Sequence, residues 1–193
     1  MPILLTWTIA YVIPALTADA LVKLLPKQRG TFHIRNAAIM HGALVLSGLG
    51  SQYAIYYSGH AFPWGSSLTS IGLYVAAIGC AYTVIGKLGV WYGLSSLVQE
   101  FALLSIAFLL LSAYSFFTTL LLIVSIFTFS HLLHAKHWLI RVTVISLWGV
   151  TSITLFLLSH NIWVIASLHA VLGALFIKKE ILYPSIHFRK KKT

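Results

Sequence analysis

Acidic residues are the scarcest resource in this chain: its 193 residues hold 3 Asp+Glu against 13 Lys+Arg. Charged residues make up only 8%, whereas an ordinary soluble domain carries roughly a quarter. So little charge cannot cover a water-facing surface, and with 59% of residues hydrophobic the exposed surface must face lipid. Cysteine is nearly missing as well. Cys80 stands alone, which excludes an intrachain disulfide or a thiolate metal cluster, and its place inside an apolar run reads as packing. The net charge of +10 comes without a basic face interleaved with aromatics, so nucleic acid is not the expected partner. Internal repeats are absent too, and the only biased segment is a basic tail.

What is abundant is long apolar sequence. Crossing the hydrocarbon takes about 20 mostly apolar residues, and seven runs meet that need: Leu4 to Leu24, Ala37 to Ser58, Ser67 to Gly86, Val90 to Ser112, Ser115 to His134, Trp138 to Leu158, and Ile162 to Leu182. The first has no basic stretch before it and no small-residue cleavage site, so it is read as a retained span. Lys23, Lys27, Arg29, Arg35, Lys87, Lys136, Arg141 and the basic residues from Lys178 onward all fall on one side of such a bundle. The connections around His60, Tyr114 and His160-Asn161 hold no Lys or Arg. Positive charge marks the cytoplasmic side and anchors to anionic lipid. The expectation is therefore an all-α polytopic transmembrane bundle of about seven spans in a cytoplasmic (inner) membrane, with the N-terminus outside and the C-terminus cytoplasmic. Residues 1–182 form one transmembrane domain and 183–193 a cytoplasmic tail. The short fourth and sixth connections predict that the helices they join are antiparallel neighbours. Small residues such as Gly42, Gly48, Gly72, Gly79, Gly149 and Gly173 suit close helix approach.

Polar side chains inside spans are costly without partners, and so are the first places to look for chemistry. Glu100 sits near the middle of the fourth span, His131 toward the cytoplasmic end of the fifth, His169 near the middle of the seventh, and Gln99 beside Glu100. One carboxylate and two imidazoles from three helices can share a cavity in the cytoplasmic half of the bilayer. A carboxylate there can take a proton from water while imidazoles position that water or stabilise an oxyanion. The bland alternative is a protonated, hydrogen-bonded Glu100 with two satisfied interior histidines. His131, His134 and His137 form an H-x-x-H-x-x-H run, but at 100° per residue only the first two share a helical face, and interfacial histidines beside Lys136 explain the same letters. Asp19 and Lys23 are spaced to neutralise each other. His33, His41, His60, His160 and His187 are read as lying in connections, in the tail or near helix ends.

These residues resemble the CAAX protease and bacteriocin-processing enzyme (CPBP, or Abi) family of intramembrane proteases. That family carries three signatures on separate helices: two adjacent glutamates with Arg four after the second, Phe four before a His, and a His followed four later by Asn or Asp. The second is intact as Phe127-Thr128-Phe129-Ser130-His131, and the third is similar in His169-Ala170-Val171-Leu172-Gly173, preceded by Asn161-Ile162-Trp163. The first survives as Gln99-Glu100, with Leu104 in place of the arginine and Gly173 in place of the later Asn. The resemblance covers Val90 to Ile177. It implies a membrane endopeptidase acting on prenylated, bacteriocin or other membrane-associated substrates, with Glu100, His131 and His169 as catalytic residues. Gln99 stands where the family places its base, and reaching that place with Glu100 takes a shift of about 100°, which a bend or π-bulge would supply.

Three readings of function follow. One is a glutamate- and histidine-dependent intramembrane protease. The second is an inactive pseudoprotease serving as a membrane binding or assembly subunit, motivated by Gln99, Leu104 and Gly173. The third is a haem or metal protein with His131 and His169 as ligands, since neutral imidazole suits both. The expected partners are membrane lipid and a membrane-associated peptide or membrane protein; sequence does not name a cofactor.

Overall fold

Where the apolar runs stop, the chain supplies its own stop signals. Ser67 and Ser70 cap each other reciprocally: the Ser70 N–H donates to Ser67 Oγ at 3.1 Å and the Ser67 N–H to Ser70 Oγ at 3.0 Å, closing a capping box at a helix start. Asn161 Oδ1 accepts from the Trp163 and Val164 N–H groups at 3.0 and 3.3 Å, occupying orphan donors of the next helix. Gly86 takes φ +63, a region that L side chains avoid, and this single residue separates two helices.

The computed structural model describes residues 32–132, 138–179 and 181. It contains α1 (Phe32–Tyr57), α2 (Leu68–Ile85), α3 (Lys87–Leu111), α4 (Phe116–Leu132), α5 (Trp138–Ser159) and α6 (Ile162–Lys178), with no strand among the described residues. The fold is all-α. These six helices match six of the seven expected runs in type and nearly in boundary. The run Leu4 to Leu24, the Asp19/Lys23 pair, His134, Lys136, His137 and the tail lie outside the described residues. Among the described residues, three segments are long and apolar enough to cross a membrane: Leu68–Ile85, Lys87–Leu111 and Val142–Ser159. Helices α4 and α6 have 17 residues each, which at 1.5 Å per residue reach about 25 Å.

Helix α3 is the hub, touching all five of the other described helices. It pairs tightly with α2 because Gly89 lies against the Ala81 backbone and Gly93 against Ile78, while the Tyr74 hydroxyl donates to the Gly93 carbonyl at 2.7 Å. The short connections bring α3 to α4 and α5 to α6 as expected, yet α6 makes its main interface with α2 and α3. The reason lies in its buried small face of Ala166, Ala170, Gly173 and Ala174, which admits neighbouring helices closely.

The connection from α1 to α2 folds back into the bundle. Phe62, only 7% exposed, stacks on Phe156 at 5.1 Å and meets Phe108 and Trp64 edge-on. Trp64 in turn stacks on Phe101 at 5.4 Å, and its carbonyl accepts from the Ile162 N–H. Aromatic packing of this kind adds to burial, and it fastens the connection to the end of the bundle nearest Ile162. Cys80 sits on an exposed face of α2, not in the core as its apolar surroundings suggest.

Candidate functional site

A carboxylate with no contact to water must find donors. Glu100, on α3, is 0% exposed and has three. His169 Nδ1 of α6 lies 2.6 Å from Oε1, the Trp148 indole N–H of α5 donates to the same oxygen at 2.8 Å, and the Ser152 hydroxyl donates to Oε2. Trp148 and Ser152 stand one turn apart on one face of α5, so a single helix serves both oxygens. One turn before Glu100, the Ser96 hydroxyl is shared between the Gly93 and Ala166 carbonyls at 2.6 and 3.2 Å, drawing α6 onto α3. One turn after it, Leu104 is fully buried.

These contacts of Glu100 join three helices, α3, α5 and α6, at one side chain. His169 is flanked by the Trp148 ring at 5.1 Å and, edge to face, by the Tyr92 ring at 5.8 Å. Its side chain keeps 9% of its surface exposed. Because Nδ1 is engaged by Glu100, Nε2 is the ring's remaining polar atom. Tyr92 reaches this position because residue 173 is glycine: a Cβ there would collide with the Tyr92 hydroxyl and ring.

Of the residues singled out by sequence, Glu100 and His169 are brought together. His131 lies in the last turn of α4, and its side chain is outside the described residues. Gln99 points elsewhere. Its amide donates to Ser95 Oγ at 2.8 Å, an oxygen that also lies 2.5 Å from His41 Nε2 on α1. His41 therefore belongs to the interior of α1, not to a helix end. No bulge turns Glu100 toward His169; α3 is an uninterrupted α-helix through this region. Among the described residues, no three His, Cys, Asp or Glu side chains gather as a metal site.

Sequence reasoning passed over Trp148, Ser152 and Tyr92. A signal was present for the first two: an N–H and an O–H at i and i+4 in an apolar run have no water to bond and must find an acceptor. Tyr92 had none, because only the packing of α3 on α6 sets it beside His169. No family model matches the chain, and comparison with curated proteins and with solved structures gives no match.

Proposed function

We propose that this chain is a multi-pass protein of a cytoplasmic membrane, with about seven spans, an outside N-terminus and a cytoplasmic basic tail, and that its Glu100–His169 pair is a carboxylate–imidazole unit for hydrolysis of a peptide bond in a membrane-associated substrate. The span count and orientation rest on the seven apolar runs and on the one-sided distribution of Lys and Arg. The hydrolytic reading rests on one observation: a fully buried carboxylate, held by Trp148 and Ser152, meets His169 Nδ1 at 2.6 Å.

This reading assigns the two residues other roles than those expected from sequence. A carboxylate already receiving three hydrogen bonds is poorly placed to take a proton from water. It is well placed to hold an imidazole in the tautomer with Nδ1 protonated and to stabilise the imidazolium that forms when Nε2 accepts a proton. In this reading His169 is the general base and Glu100 its positioning group. The likeness to CPBP proteases supports the substrate class, with His131 as the further imidazole that the resemblance implies.

A second reading has its own observation. Glu100 joins α3, α5 and α6 with no exposure, as a purely structural latch would, and Gln99 and Leu104 lack the family's charges. The chain would then be a non-hydrolytic assembly subunit. A cleavage assay on quenched-fluorescence peptides bearing an isoprenyl or acyl anchor separates the two. Hydrolysis by the wild type that is lost in His169→Ala and Glu100→Gln supports the first; hydrolysis that survives both variants excludes it.

A further inference from the structure

The Trp148 indole and the Ser152 hydroxyl are committed to the carboxyl group of Glu100. One polar group beside the pair is not: among the described residues, nothing accepts a hydrogen bond from the Tyr92 hydroxyl, although its ring lies edge to face on His169 at 5.8 Å. Tyr92 stands two turns before Glu100 on α3, and its hydroxyl rests on α6 at Gly173, one turn from His169 toward the Lys178 end. At the opposite end of the site Phe62, Trp64 and Phe101 pack as an aromatic cluster. Along α3, Tyr92 thus lies between Lys87 at the basic end of the helix and Glu100.

We propose that Tyr92 is a catalytic residue of this site: its hydroxyl donates to the carbonyl oxygen of the bond being cleaved while His169 Nε2 takes the proton of the attacking water. This inference rests on the hydrolytic reading above. In the first step the water oxygen forms a bond to the carbonyl carbon, one water proton passes to Nε2, and the carbonyl π pair moves onto an oxygen held by the Tyr92 O–H. In the second step that pair returns, the C–N bond breaks, and the Nε2 proton goes to the departing amine. Tyr92 keeps its proton throughout. A donor aimed at developing negative charge in a water-poor site is among the largest single contributions to acyl-transfer catalysis. Glycine at 173 is what makes the arrangement possible, since any side chain there would push the hydroxyl away.

The test compares the purified full-length wild type with Tyr92→Phe, Gly173→Ala and His169→Ala, using anchored quenched-fluorescence peptides and a phosphinic peptide that imitates the tetrahedral intermediate. Tyr92→Phe keeps the ring packed on Gly173, so the fold should hold. It should lower kcat about a hundredfold with KM within about threefold, and weaken phosphinate binding while leaving binding of the uncleaved peptide unchanged. Gly173→Ala should show the same kcat loss through displacement of Tyr92. Full kcat in Tyr92→Phe alongside an inactive His169→Ala overturns the role of Tyr92 and leaves the hydrolytic reading intact. Full activity in His169→Ala overturns that reading itself, and a wild type that neither cleaves the peptides nor binds the phosphinate overturns both.

Discussion

Glu100 and His169 stand 69 positions apart in sequence, and their side chains meet at 2.6 Å. Each supplies the other with a polar partner in the buried interior. Without the contact the carboxyl group would keep only Trp148 and Ser152 as partners, and the imidazole would leave Nδ1 unsatisfied. Their contact adds a polar tie between α6 and α3, and Trp148 and Ser152 bring α5 to the same point.

If Glu100 is the shared partner of α5 and α6, its removal should cost more than the loss of any one donor. Glu100→Ala should destabilise the protein by roughly 3–5 kcal/mol, the range for breaking a buried pair. Ser152→Ala and Trp148→Phe should each cost about 1–3 kcal/mol, because each removes one donor from a buried acceptor. Thermal unfolding of the purified protein in detergent checks the ranking; a Glu100→Ala variant as stable as the wild type would show that the carboxylate does not hold the bundle.

Glycine substitutions should sort by packing, not by helix propensity. Gly89→Ala places a methyl group into the Ala81 backbone, an overpacking that costs about 1–3 kcal/mol. Gly72→Ala and Gly79→Ala meet nothing within 4 Å and should be neutral or stabilising by up to about 1 kcal/mol. Melting temperatures of the three single variants give the comparison directly.

Cys80 offers a test of which surface faces lipid. It is exposed on α2, within an apolar groove lined by Leu73, Ala77, Val164 and Leu168. A water-soluble maleimide reaches a thiol only where water does, and hydrocarbon keeps water from it. Labelling should therefore be slow in intact bilayers and rise at least about tenfold after detergent extraction and denaturation. Equal rates in bilayers and in denaturant would place this face of α2 in water.

Much of this architecture was legible in the sequence. Apolar length and the polar breaks at Ser67, Gly86 and Asn161 mark the helices, because hydrocarbon demands long apolar segments and caps are local chemistry. Glu100 and His169 stood out as costly polar groups at membrane depth. What could not be read was the rotation of α3. Adjacent letters Gln99 and Glu100 face different neighbours, Ser95 and His41 for the first and His169 for the second. That division depends on where α1 and α6 pack, which small residues spread over four helices decide jointly. Trp148 and Ser152 were hidden for a different reason: as common residues of membrane helices, they reveal a role only once their acceptor is known.

The account depends most on where the proton lies between Glu100 and His169, and ¹⁵N NMR of histidine-labelled protein in bilayers reads it. With His169 assigned by its loss in His169→Ala, Nδ1 should carry a proton, with a shift showing a strong hydrogen bond that weakens in Glu100→Gln. An unprotonated Nδ1, its proton held by Glu100, would leave Nε2 protonated in the neutral ring and unable to act as a base, contradicting the proposal.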